Sequence, residues 1–409
     1  MRSFWLRLRI KCSIRKWRGV RRVSEAKKRN CGRFHETNGK ICVEKQTTEK
    51  RTTGGVAVVF SVCTIVGAVA GAGFLSGREL LEFYGGFRVF PLAVSFAAFA
   101  LGFLLFLRLG ANFGGFDGVM RGLFSGDTAQ SGGSAGAAWA ARAAKGAALF
   151  CSFSVGAATL SALHAAYPQG RPFFAVAFVA IALLCTRRGI SGLSSFGAVF
   201  TPFLIAAVLA LIAIRGCFSL PENTDFLCGA RASCAGIVYA CMNVFAVSPV
   251  LCDLGKTLKN KKKTAVAAFG AAGALTLLSA AILSAMSGDK CSYSKPLPLD
   301  YVLNGGKFFA LLSAIGMLTT FTACFYPAAE AAKSVALRAG NGCAGNAGAG
   351  RGTAAKIAAG AAFLIASLLP FEKIVRYFYP IAGVLGAAVI AAAAISAFGL
   401  CRRRAIIPR

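Results

Sequence analysis

The feature that most limits the fold of this 409-residue chain is a series of long segments without Asp, Glu, Lys or Arg. A bilayer core about 30 Å thick requires roughly 20 apolar residues in a helix that rises 1.5 Å per residue. Two of the segments are short and need Arg and Lys side chains at their ends to reach the membrane surface. The sequence therefore predicts about ten transmembrane helices. In chain order the segments are 52–77, 89–107, 146–170, 172–186, 189–214, 232–252, 264–288, 308–329, 357–371 and 377–401.

The basic residues behind the formal net charge of +31 lie mostly on one side of the predicted membrane helices. The charge is therefore explained by membrane topology and does not indicate a nucleic-acid partner. Seventeen of the 46 Lys and Arg residues lie in the first 51 positions, and most of the others fall in loops that ten helices place on that same side. Acidic residues, with Glu79 and Glu82 among them, concentrate in the opposite loops. Cytoplasmic loops carry such a basic excess, so both termini are predicted to be cytoplasmic.

The predicted helices divide the chain into four parts. Residues 1–53 form a basic cytoplasmic tail, predicted to be disordered, and 402–409 form a basic cytoplasmic C-terminal tail. Residues 54–216 and 217–401 are two groups of five helices. No apolar region follows the basic start, so residues 1–53 lack the pattern of a signal peptide. The spans contain no paired catalytic Asp motif, zinc-protease motif or Ser/His arrangement, and the protein is not predicted to be an enzyme.

The 15 cysteines do not form a metal-binding pattern, because no C-x-x-C occurs and the chain has two His. Six of them lie in apolar segments, where a thiol behaves as a small hydrophobic group. Four lie in the predicted outer regions, where they could pair as disulfides or stay free. These four are Cys217, Cys228, Cys234 and Cys291.

The first predicted helix contains four glycines between Gly67 and Gly77. Each costs a continuous helix about 1 kcal/mol, which favours a break at Gly71–Gly73. Non-helical backbone at membrane depth survives only where it is buried in protein or lines a cavity. The alternative is close packing of helices, since Gly67 and Gly71 have the spacing of a Gly-x-x-x-Gly face.

The sixth predicted helix contains a matching interruption. Pro249 removes a backbone donor, and Asn243 lies on the same face as Tyr239, four residues earlier. Interrupted helices at corresponding places in two halves indicate an inverted-repeat transporter with a binding site near the membrane midplane. The sequence thus predicts an all-α integral membrane protein with an inverted five-plus-five repeat and broken helices 1 and 6. The predicted substrate-binding residues are Gly71, Ala72, Gly73, Phe74, Tyr239 and Asn243.

Several polar residues allow two interpretations. Arg78 and Glu82 can pair at i, i+4, which we favour over a role for Arg78 in attracting an anionic group. Asp253 and Glu330 end predicted helices on the cytoplasmic side, as gate residues or as interfacial groups. An interfacial role is favoured for His164 over that of a proton carrier.

The motif Gly71–Glu79 resembles the GAGFASGQE signature of the YkvI family of bacterial membrane proteins. Tyr239–Asn243, followed by Val250–Gly255, is similar to the sixth helix of that family, and Tyr379–Gly386 to its closing YPIxGYxG-type helix. The likeness extends over roughly 54–400. Leu75 replaces the family's Ala and Arg78 replaces its Gln, so the family's substrate need not be the substrate of this protein.

The resemblance implies the fold of the amino acid/polyamine/organocation transporter superfamily and a location in the bacterial plasma membrane. In sodium-coupled relatives, carbonyls of the broken first helix and paired hydroxyls on the eighth helix hold the ion. The corresponding groups here are the carbonyls of Gly67 and Ala70 and the hydroxyls of Thr319 and Thr320. The alternative for the two Thr hydroxyls is bonding to their own helix backbone.

The function expected from these features is ion-coupled secondary transport of a small organic solute, an amino acid or an amine. The alternative is a non-transporting membrane receptor or assembly protein on the same scaffold. The expected partners are the solute and membrane lipid, with no cofactor other than Na⁺ as a coupling ion. The choice between Na⁺ and H⁺, the solute and the oligomeric state stay open.

Overall fold

A computed structural model describes residues 54–124, 135–167, 170–216, 218–220, 226–295, 297–304, 306–339 and 346–406. The tail predicted at 1–53 lies outside this part of the chain. Regular structure within the described segments is entirely helical. The last helix continues to Ile406, into the segment predicted as a C-terminal tail.

The helices are named in chain order. The first eight are α1 (Gly54–Val69), α2 (Ala72–Leu75), α3 (Arg78–Tyr84), α4 (Val89–Phe113), α5 (Phe116–Phe124), α6 (Ala135–Ala166), α7 (Arg171–Thr186) and α8 (Ile190–Arg215). The others are α9 (Phe226–Ala246), α10 (Ser248–Leu258), α11 (Lys261–Ser287), α12 (Pro298–Leu303), α13 (Gly306–Ala339), α14 (Asn346–Ala366), α15 (Phe371–Lys373) and α16 (Tyr379–Ile406). A 3₁₀ turn covers Lys290–Ser294, and a π-helical turn covers Ile374–Phe378.

Within the described segments, six helices are long and apolar enough to cross a membrane. They are α4, α6, α8, α11, α13 and the continuous run from α15 to α16. The bent pair α9 and α10 is a seventh if it is counted as one span, and α1 and α7 are apolar but shorter. The protein thus has the helices of a multi-pass membrane protein.

Helix boundaries differ from the charge-free segments where basic residues lie inside a helix. The helix predicted at 146–170 begins earlier, at Ala135, and includes Lys145, which pairs with Asp117. The helix predicted at 357–371 is α14, which begins earlier and ends earlier. It contains Lys356, which is buried and pairs with Glu330 across 2.7 Å. Counting charge-free residues misses the first turns of such helices, because a partner elsewhere in the chain neutralises the Lys side chain.

Helix α4 connects the two ends of the bundle, since 25 residues span about 37 Å. It crosses α10 in backbone contact. A side chain on Gly110 would overlap the Cys252 carbonyl, and one on Gly255 would overlap the Leu107 carbonyl. We call the end with residues 76–88 and 288–304 the Arg78 end. The end with 114–117, 253–258 and 326–334 is the Asp253 end.

Candidate functional site

The first interruption lies between α1 and α3. The Gly71 amide donates to the Val69 carbonyl across 2.7 Å, which closes a tight turn. A Cβ atom on Gly71 would lie 2.9 Å from Thr320 Oγ1, so this close approach to α13 requires glycine. Gly77 has a φ of +78°, a left-handed conformation that glycine adopts without strain. The interruption predicted from the glycines is therefore present.

The four predicted cation ligands come together beside this turn. Thr320 Oγ1 donates to the Gly67 carbonyl across 2.9 Å, and Thr319 Oγ1 donates to the Gly316 carbonyl across 2.8 Å. The Ala70 carbonyl oxygen lies 3.3 Å from the point where a Cβ atom of Gly316 would stand. The Thr319 hydroxyl thus bonds within its own helix, whereas the Thr320 hydroxyl links α13 to α1.

Helix α8 brings a further hydroxyl to this place. Thr201 is fully buried, and its Oγ1 atom has no hydrogen-bond partner among the described residues. A side chain on Gly67 would overlap that atom, and the Thr319 Cβ lies 3.5 Å from the same point. Thr201 was absent from the predicted site, and the one signal for it in the sequence is a hydroxyl followed by Pro202 within an apolar helix. A buried hydroxyl without a partner costs about 1–3 kcal/mol.

The second interruption bends α9 against α10 by 62°. Pro249 has no N–H to donate, and the Ser248 hydroxyl instead donates to the Phe245 carbonyl across 2.8 Å. The next carbonyl, of Ala246, accepts a hydrogen bond from Ser152 of α6. Side chains thus replace the helix bonds lost at the break, which is the condition for a non-helical turn within a bilayer.

A carboxylate lies between the two interrupted helices. Glu79 is 6% exposed, and its Oε2 atom accepts a hydrogen bond from the Tyr239 hydroxyl across 3.2 Å. Tyr379 of α16 also interacts with this carboxylate. A side chain on Gly73 would overlap Glu79 Oε1. The expectation that Glu79 is an outer-loop acid is wrong, because the turn at Gly77 directs it into the bundle.

The Tyr239 ring lies among aromatic side chains. Its centroid is 5.0 Å from that of Phe83, 6.1 Å from that of Tyr84 and 6.3 Å from that of Phe99. One helical turn later, Asn243 is buried and its Nδ2 donates to the Tyr239 carbonyl across 3.0 Å. The two residues share a face of α9, as predicted, and the amide donor bonds within its own helix.

The predicted substrate-binding residues thus form two groups that Glu79 connects. Gly71, Ala72, Gly73 and Phe74 lie on the first interruption, and Tyr239 and Asn243 lie on α9. Phe74 is fully buried. Glu79 and Tyr379 were absent from the prediction, although both stand within motifs that the sequence singled out.

At the Asp253 end, one carboxylate joins three helices. Asp253 Oδ1 accepts from the Phe116 amide across 3.2 Å, and Oδ2 accepts from the Tyr326 hydroxyl across 2.8 Å. The preceding turn at Gly114–Gly115 has positive φ at both glycines. A cavity of about 290 Å³ opens beside these contacts. Asp253 thus lies between α5, α10 and α13, a position compatible with a gate residue and with an interfacial group.

At the Arg78 end, the 3₁₀ turn and the start of α12 lie over the first interruption. The Arg78 guanidinium donates to the Tyr293 carbonyl across 3.1 Å, and the Leu299 amide donates to the Ser76 carbonyl across 2.9 Å. Within the described residues, no ion pair joins Arg78 to Glu82, so the favoured pairing is wrong. The Arg78 side chain instead extends to the 3₁₀ turn at Lys290–Ser294.

A cavity of about 780 Å³ adjoins this end. His164 lies on its wall, with Nε2 at 3.0 Å from Ser367 Oγ, as expected of a hydrogen-bonded interfacial histidine.

On α12, outside the membrane helices, burial raises the pKa of the Asp300 carboxyl. The Asp300 Oδ1 atom is buried and has no hydrogen-bond partner among the described residues.

Two of the four cysteines that could pair are free thiols. Cys234 and Cys291 are both exposed and unbridged. Cys217 and the side chain of Cys228 lie outside the described part of the chain.

Comparison with known proteins does not assign the chain to a family: no family model matches the chain, and no curated protein matches it.

Proposed function

We propose that this protein is a secondary transporter that couples movement of a small organic solute, an amino acid or an amine, to an ion gradient. The observation that carries the proposal is the Glu79–Tyr239 hydrogen bond, which joins two interrupted membrane helices in a buried place. Interrupted helices expose backbone groups that can bind a solute near the midplane. The solute would lie between Gly71–Gly73 and Tyr239–Asn243.

The proposed fold has ten spans in an inverted five-plus-five repeat. In this arrangement α1 to α3 form the first span, and α9 with α10 form the sixth. The shorter helix α7 and the less apolar helix α14 complete the ten. Five helices per half give the halves opposite orientation, which supports alternating access around a central site. The resemblance to the YkvI family belongs to this proposal and is supported by the sequence motifs.

The proposed topology places both termini in the cytoplasm of a bacterial plasma membrane. The Asp253 end then faces the cytoplasm, and the Arg78 end faces outward. The basic residues support this orientation through the excess of Lys and Arg in the loops of the Asp253 end. Asp253 and Tyr326 would close the cytoplasmic path, while the Arg78–Tyr293 contact would close the outer path.

The proposed sodium site lies at the carbonyl end of α1. Its ligands are the carbonyls of Gly67 and Ala70 and the hydroxyls of Thr319 and Thr320. The partial negative charge at the carbonyl end of a helix favours a cation. The buried Thr201 hydroxyl supports the proposal. Its oxygen has no hydrogen-bond partner within the described residues, and a cation bound beside it would give that oxygen a partner.

The sodium site is tested by thermal unfolding of purified protein with and without Na⁺, in the presence of amino acids and amines. A bound ion stabilises the folded state by mass action. We expect Thr319→Ala and Thr320→Ala to lose the Na⁺-dependent shift. The matched control is Thr322→Ala, because the Thr322 hydroxyl is equally buried and, like that of Thr319, bonds within its own helix, but it is not a proposed ligand. Unchanged Na⁺ dependence in both variants would refute the site.

Transport itself is tested by uptake into reconstituted vesicles under Na⁺ and pH gradients. Accumulation of an amino acid or amine, dependent on one gradient, is the expected result. Specific binding without movement of solute under any gradient would contradict transport and support the receptor alternative.

A further inference from the structure

We propose that Glu79 is a proton-binding site at the contact between the two interrupted helices, and that its protonation loosens this contact. The inference rests on the proposed transport function for its role in a cycle. Proton binding itself is measurable without any solute, so the two proposals can fail separately.

The first observation is a buried carboxylate without a cation. Glu79 is 6% exposed, and Tyr239 and Tyr379 beside it are 0% and 1% exposed. Among the described residues, no Lys, Arg or His forms an ion pair with Glu79. A lone buried charge in a membrane protein is costly and marks a functional group by default. A proton is a cation small enough to neutralise it without new space.

The second observation is the set of titratable groups around Glu79. Tyr239 faces it from α9, Tyr379 from α16 and Cys324 from α13. Tyr84 lies on Glu79's own helix and touches the Tyr239 ring. All four are neutral at physiological pH in their ordinary states.

The nearest basic residue in the chain does not face the carboxylate. The Arg78 guanidinium donates to the Tyr293 carbonyl at the Arg78 end. The carboxylate's position is also tightly set, because Oε1 fills the space beside Gly73. The surroundings therefore hold the carboxylate by neutral hydroxyl donors, an arrangement that accepts a proton with little rearrangement.

Protonation has a defined chemical consequence here. A proton from water forms an O–H bond with one carboxylate oxygen, and it returns to water when that bond breaks. The Tyr239 bond then changes from a charge-assisted hydrogen bond to a neutral one, which is roughly half as strong. Because this bond links α3 to α9, the proton weakens the contact between the interrupted helices. Proton occupancy would thereby be coupled to their relative movement.

The test is infrared spectroscopy of the full chain in lipid nanodiscs, titrated with pH in H₂O and D₂O. We expect a protonated-carboxyl band that titrates in the wild type and disappears in Glu79→Gln. The matched control is Glu82→Gln, on the same helix but exposed, which should keep the band. A band that persists unchanged in Glu79→Gln would overturn the proposal.

A second variant guards against a Glu79→Gln protein that does not fold. In Tyr239→Phe the carboxylate loses a donor that favours its charged form, so the band's midpoint should move to higher pH. Glutamate labelled with ¹³C identifies the band in otherwise unchanged protein. An unshifted midpoint in a folded Tyr239→Phe variant would contradict the assignment.

Uptake measurements separate this inference from the proposed function. A titrating Glu79 band in a protein that moves no solute would leave the proton site standing and remove its transport role. Solute uptake that is identical in wild type and Glu79→Gln at every pH would overturn the coupling while leaving transport intact.

Discussion

The Tyr239 hydroxyl donates to the Glu79 carboxylate across 3.2 Å, and this bond joins helices that are 160 positions apart in the chain. Both side chains are buried, so water does not compete with the bond. Each helix is interrupted close to its end of the bond. The contact therefore ties the two interrupted helices together.

Removing the Tyr239 hydroxyl should destabilise the protein markedly. Tyr239→Phe deletes a hydrogen bond to a charged group, which contributes about 1.5–3 kcal/mol. Unfolding in detergent at neutral pH measures the loss. The control is Tyr293→Phe, whose buried hydroxyl has no hydrogen-bond partner among the described residues, and this change should be near neutral. Equal effects of the two substitutions would contradict the role of the bond.

A methyl group at Gly73 should disrupt the site through steric overlap with Glu79. Gly73→Ala should reduce the yield of folded protein, measured by size-exclusion chromatography. Gly273→Ala in α11 is the control: nothing lies near its added Cβ, and alanine favours a helix over glycine by about 1 kcal/mol. Adding Glu79→Ala to Gly73→Ala should restore folding, and failure to do so would argue against this overlap.

The break between α9 and α10 should depend on a hydroxyl from α6. Ser152→Ala leaves the Ala246 carbonyl without its side-chain donor, and an unsatisfied buried group costs about 1–3 kcal/mol. Ser154→Ala, on the same helix, removes only a bond to its own backbone at Phe150. Thermal unfolding should show a clear loss for the first and a small effect for the second. The reverse order would exclude the proposed support of the break.

Loss of the Asp253 contacts should expose the Asp253 end. Asp253→Ala frees the Phe116 amide and the Tyr326 hydroxyl, so α10 is no longer tied to α5 and α13. The neighbouring Cys252 is fully buried and should react faster with a maleimide, detected by peptide mass spectrometry. Asp117→Ala breaks an exposed ion pair of small energetic value and should leave that rate unchanged.

Stability should depend on pH through Asp300. Burial raises the pKa of this carboxyl in the folded protein above its value in the unfolded chain. The stability due to protonation is then present below the unfolded value of about 3.9 and is lost as pH rises through the folded value. Asp300→Asn should therefore unfold at higher temperature than wild type at neutral pH and match it at low pH. No difference at neutral pH would contradict a partly buried carboxyl whose Oδ1 atom has no hydrogen-bond partner among the described residues.

Parts of the fold and of the site were accessible from local sequence. Glycines between Gly67 and Gly77 predict the first interruption, and Pro249 predicts the second, because both residue types act on their own backbone. Thr319 and Thr320 were singled out through the family resemblance, and the structure places the Thr320 hydroxyl against the Gly67 carbonyl. Basic residues inside α6 and α14 shifted helix boundaries, because the partners that neutralise them lie elsewhere in the chain.

The sequence by itself determined that this chain has several apolar helices and where two of them break. Those properties depend on residues within one helix. Only the tertiary structure decided that Glu79 points inward to Tyr239 and that Thr201 packs against Gly67. Such contacts depend on how distant helices pack and on the direction the chain takes at Gly77. A charge beside an apolar segment looks the same in sequence whether it faces water or a buried hydroxyl.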